Sequence, residues 1–90
     1  MVDKVVWDTI RKYADGRWEG GVAEYGDTWK ERDMYDEAKQ EVGDLFNYLR
    51  KQGEKTTNHD ELTELMVLQT KVVEIFDIVT KMDEKYNRGA

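Results

Sequence analysis

Apolar residues recur along this chain every three or four positions, which predicts three helices and no strand. The first helix spans roughly Asp3 to Trp18, with Val6, Ile10, Tyr13, Ala14 and Trp18 on its apolar face and Asp3 placed to cap it. The stretch "DGRWEGGVAEYGDT" follows and carries four of the seven glycines. Glycine lets a backbone turn sharply, so this stretch reads either as an irregular connection pinned by aromatics or as one wall of a ligand pocket. The second helix has two candidate starts, a capping box at Thr28–Glu31 and a cap at Asp33. It ends near Gln52, with Gly53 as the stop signal. Its apolar positions are Met34, Ala38, Val42, Leu45, Phe46 and Leu49.

The third helix starts at Asn58, where Glu61 completes a capping box, and runs to about Tyr86 before fraying at "NRGA". Leu65, Leu68, Val72, Ile75, Val79, Met82 and Tyr86 alternate at spacings of three and four. Leu62, Met66, Val73 and Phe76 widen that stripe. A stripe this broad touches more than one neighbour, so residues 62–86 are expected to form a subunit interface in a homodimer or homotetramer. The fold class is therefore all-α: one domain over residues 1–90, a bundle of three main helices completed by oligomerisation.

Composition narrows the chemistry. There is no cysteine, so no disulfide or thiolate site, and His59 alone supports no histidine cluster. There is no serine, and no glycine-rich loop leads into G-K-[ST]. A net charge of −6 argues against nucleic acid as the main partner. No apolar run approaches the roughly 18 residues of a membrane span, and "MVDKVVWD" lacks signal-peptide anatomy, so a cytoplasmic protein is expected.

The candidate chemistry lies on the second helix. Turning about 100° per residue, its apolar residues cover an arc of roughly 120° around Leu45, and Glu37, Glu41, Asp44 and Tyr48 form an adjacent strip roughly 60° wide. No Lys or Arg shares that strip, and like charges one turn apart repel by about 0.2–0.5 kcal/mol per pair. A hard divalent cation with oxygen ligands, Mg²⁺ or Mn²⁺, would relieve them. The bland alternative is a solvated acidic flank.

The stretch "EAKQEVGDLFNYL" resembles the acidic helix of the all-α nucleoside triphosphate pyrophosphatases, the MazG-like group, over roughly residues 20 to 52. "EVGD" matches the second, E-x-x-D, half of that family's motif, "LFNYL" its continuation, and "YGDTW" is similar to short phage-encoded members. The first half, E-E-x-x-E, has no counterpart upstream. The resemblance implies Mg²⁺-dependent hydrolysis of a nucleotide to its monophosphate and pyrophosphate. Glu41 and Asp44 would hold the metal, Glu37 would add a ligand or orient water, and Tyr48 would support them. A second E-x-x-D, Glu74 to Asp77, offers Asp77 as a further ligand, whereas Glu74 faces away from the apolar stripe. Trp18, Tyr25 or Trp29 would stack on a base, and Lys30, Arg32, Lys51 or Lys55 would meet phosphates. The competing expectation is a non-catalytic helical module that keeps the bundle and works by oligomerisation or partner binding.

Overall fold

A computed structural model of the chain describes residues 2–26 and 28–87, the side chains of Glu24 and Tyr25 excepted. The expected roles of Tyr25 and the end of the "NRGA" tail lie outside these described residues. The fold is all-α, with three main helices of which the third is longest, and the described residues contain no strand. None of the described helices is long and apolar enough to cross a membrane. The chain divides into two compact units, Met1–Arg32 and Asp33–Ala90.

In the first unit, α1 runs over Lys4–Tyr25, and Asp3 caps it by accepting a 2.7 Å hydrogen bond from the Val5 N–H. The helix passes through Gly16, Gly20 and Gly21, where the sequence suggested a break at Trp18. Helical propensity is a weak prior, and glycine's penalty of about 1 kcal/mol per residue is one that context overrides. The turn comes instead at Gly26, whose φ of +80° suits glycine, and whose N–H donates to the Val22 carbonyl. Trp29–Glu31 then form a single 3₁₀ turn, and Thr28 makes no side-chain cap. Of the two candidate starts for the second helix, the Asp33 one is used.

In the second unit, α2 (Met34–Lys55) and α3 (His59–Tyr86) form a hairpin joined by three residues. Asp33 caps α2 through the N–H groups of Tyr35 and Asp36, and Asn58 caps α3 through the N–H of Glu61. Contrary to the sequence reading, α2 does not stop at Gly53. Gly53 sits against α3 instead, where a Cβ would lie 3.5 Å from Leu62 Cδ1 and 3.9 Å from Leu65 Cδ1.

The seam uses Ala38, Val42, Phe46 and Leu49 of α2 against Leu65, Val72 and Val79 of α3, and Leu65 and Val72 are its most buried apolar members. The broad stripe of α3 is thus split. Leu68 and Ile75 remain 45% and 47% exposed, and Met82 and Tyr86 are exposed with them. One partner helix covers one edge of such a stripe only.

Candidate functional site

The acidic strip occupies a different side of α2 from the one its sequence suggested. Leu45, the expected centre of the buried face, is 44% exposed, and the seam is centred on Val42, Phe46 and Leu49. Measured from Val42, helix geometry turns Glu41 about 100°, Tyr48 about 120°, Glu37 about 140° and Asp44 about 160° away. The carboxylates therefore face outward rather than bordering the core. The reason is that Met34 and Leu45 pull the apolar average toward a face that α3 does not cover.

Glu41, Asp44 and Tyr48 are exposed, and neither Glu41 nor Asp44 forms an ion pair among the described residues. Glu37 is half-buried and engaged. It stands two turns from Asp44, about 10 Å along the axis. Among the described residues no three acids or histidines are grouped so as to hold a metal ion. Among the described residues, Glu37, Glu41 and Asp44 are thus not gathered into one three-ligand group.

The remaining expected site residues are also apart. Asp77 lies on the solvent side of α3 and is bound to Lys81 Nζ at 2.8 Å. That contact, first as a hydrogen bond and then as charge attraction, raises the Lys81 ammonium above its ordinary 10.5. Glu74 is exposed, as its register predicts. Trp29 belongs to the first unit, where its ring meets Trp18 edge-on at 6.0 Å and Lys30 Nζ lies 5.8 Å from its centroid.

What the structure does bring together is a polar knot where α2 begins and α3 ends. Asp83, 1% exposed, accepts from Lys39 Nζ at 2.8 Å and from Asn87 Nδ2 at 2.9 Å. The same Asn87 amide donates to the α2 cap, Asp33 Oδ2, at 3.0 Å. A buried charge needs such partners, since an uncompensated one costs several kcal/mol. The hydrophobic pattern does not single these residues out. Their signal is a charged residue at a seam position of each helix, Lys39 on α2 and Asp83 on α3.

The second concentration of features is apolar. Beside the seam, Val42, Gly43, Phe46, Val72, Val73 and Phe76 line a groove of about 260 Å³. Compared with protein-family models, curated proteins and solved structures, the chain matches none.

Proposed function

We propose that this chain is a helical self-association module, whose α2–α3 hairpin is one part of a larger bundle made from identical copies. The observation that carries this reading is surface. One side of the α2–α3 hairpin leaves large apolar side chains to solvent. Much of what is exposed is apolar, as obligate interfaces are: Leu68, Ile75 and Met82 on α3, and Met34 and Leu45 on α2. A small chain with only two buried apolar side chains, Leu65 and Val72, among its described residues gains most from covering such a face.

Sedimentation equilibrium at micromolar concentration tests the proposal. A homodimer or homotetramer is expected, and Leu68→Asp with Ile75→Asp should lower its order, because both charges would enter the covered face. A wild-type monomer at that concentration overturns the reading.

A second reading, Mg²⁺-dependent nucleotide pyrophosphohydrolysis, is favoured by one observation: Glu41 and Asp44 lie solvent-facing one turn apart, with no ion pair among the described residues. Further ligands would have to come from a second copy. Release of pyrophosphate from nucleoside triphosphates, abolished by Glu41→Gln, would establish it. An unchanged melting temperature in millimolar Mg²⁺ or Mn²⁺, with and without nucleotide, would remove it.

A further inference from the structure

We infer that Asn87 is a clasp between the two open ends of the hairpin: through it the last turn of α3 and the first turn of α2 open and close as one unit. The α2 cap, Asp33, is the first residue of the second unit, and the clasp ties it to a residue 54 positions further along the chain.

The donors of Asn87 define the clasp. An asparagine amide carries two N–H donors on one nitrogen. Asn87 Nδ2 directs one to Asp83 Oδ1 at 2.9 Å and the other to Asp33 Oδ2 at 3.0 Å. Only the nitrogen suits a place between two carboxylates, because the amide oxygen there would meet like charge. The second oxygen of each carboxylate is engaged within α2. Asp83 Oδ2 accepts from Lys39 Nζ at 2.8 Å, and Asp33 Oδ1 accepts from the N–H groups of Tyr35 and Asp36 at 3.0 and 3.3 Å. A continuous chain of hydrogen bonds therefore runs from the first-turn amides of α2 through Asp33, Asn87 and Asp83 to Lys39 in the second turn of α2.

This chain holds only while α3 is wound to its end. The backbone N–H of Asn87 donates to the Asp83 carbonyl at 3.0 Å, and that bond sets the side chain between the two aspartates. When the last turn unwinds, Asp33 loses a contact that holds its carboxylate in the capping orientation, and ordering that side chain for the cap costs more entropy. Terminal turns are the parts of a helix that open most readily, so this is an event the folded protein samples. The coupling is reciprocal: what the end of α3 does to the α2 cap, the cap does to the end of α3 by the same factor. A charge-assisted bond at an exposed site sets that factor at about fivefold.

Native-state amide exchange of wild type, Asn87→Ala and Asp33→Ser tests the clasp, at one protomer concentration and with circular dichroism confirming helix content. Asn87→Ala removes both side-chain donors and leaves Asp33 in place. The Tyr35, Asp36 and Glu37 amides should then exchange about fivefold faster, while those of Leu45 and Leu68 in the helix interiors stay unchanged. Asp33→Ser keeps a good N-cap but removes the oxygen that Asn87 reaches, and the Tyr86 and Asn87 amides should quicken by a similar factor. Acceleration by Asn87→Ala that is confined to the last turn of α3 overturns the clasp and leaves Asn87 a local cap. An α3 end indifferent to Asp33→Ser overturns it too, as does acceleration spread evenly over both helices, which would mark general destabilisation.

Discussion

Replacing Lys39 with methionine should cost the protein about 3 kcal/mol. Methionine keeps the helix propensity and most of the stem, so the change deletes mainly the ammonium. What remains is the Asp83 carboxylate, 1% exposed, with its Asn87 donor at 2.9 Å but without the Lys39 contact at 2.8 Å. Removing one partner of a buried pair costs about 3–5 kcal/mol. The lower end applies here for two reasons: Asn87 still donates, and the Lys39 side chain is 22% exposed, so water already reaches one edge of the pair. The converse change, Asp83→Leu, should cost less, about 1–2 kcal/mol, because the lysine stem can carry its charge outward to water. Making both changes should restore stability to within about 1 kcal/mol of wild type, since no buried charge is left.

The assay is urea unfolding of the four proteins at one fixed protomer concentration, because assembly makes apparent stability concentration-dependent. The expected coupling between the two positions is about 2 kcal/mol or more. A loss below about 1 kcal/mol for Lys39→Met, with additive single changes, would show that the pair is solvated and does not hold α2 to the end of α3.

Three further outcomes are expected. Thr80→Val should stabilise the hairpin by about 1 kcal/mol, because the buried Thr80 Oγ1 has no hydrogen-bond partner among the described residues and the methyl group would replace it without desolvation; a loss of stability in urea unfolding would contradict this. Asn58→Ala should cost about 1 kcal/mol by removing the 2.9 Å cap to the Glu61 N–H, and amide exchange should quicken in the first turn of α3; unchanged exchange would count against it. Lys81 has a folded pKa above its unfolded value, so the contribution of its Asp77 pair is complete below 10.5 and fades as pH rises through the folded value; Asp77→Asn should bring the Lys81 titration, followed by NMR, back toward 10.5, and an unmoved titration would deny the contact in solution.

The helices were legible because periodicity and caps are local. Asp3, Asp33 and Asn58 each sit one residue before a helix, and each accepts a backbone hydrogen bond there. Glycine was the misleading local signal. Gly20 and Gly21 suggested a break, and Gly53 a stop, yet all three lie inside helices. Gly53 serves packing against Leu62 and Leu65, which is a tertiary reason that no local rule contains.

Direction was less legible than periodicity. A helical wheel averages all apolar residues on an element, and α2 carries two sets: Val42, Phe46 and Leu49 toward α3, and Met34 and Leu45 away from it. The carboxylates border the Met34–Leu45 set, so merging the two sets into one face placed Glu41 and Asp44 beside a core they do not border. The same averaging merged the two edges of α3, Leu65–Val72–Val79 and Leu68–Ile75–Met82, into one stripe. Apolar pattern states how much face a helix needs covered, but not by which neighbour. Polar residues carry the missing information. Lys39 and Asp83 meet in only one register of the hairpin, because shifting α3 by one turn would bury the carboxylate without its ammonium. Leu65 and Val72 would accept many registers at little cost, whereas the ion pair accepts one. On this argument Lys39→Met/Asp83→Leu should keep its stability and lose its unique register, and NMR line broadening along α3 would report that loss.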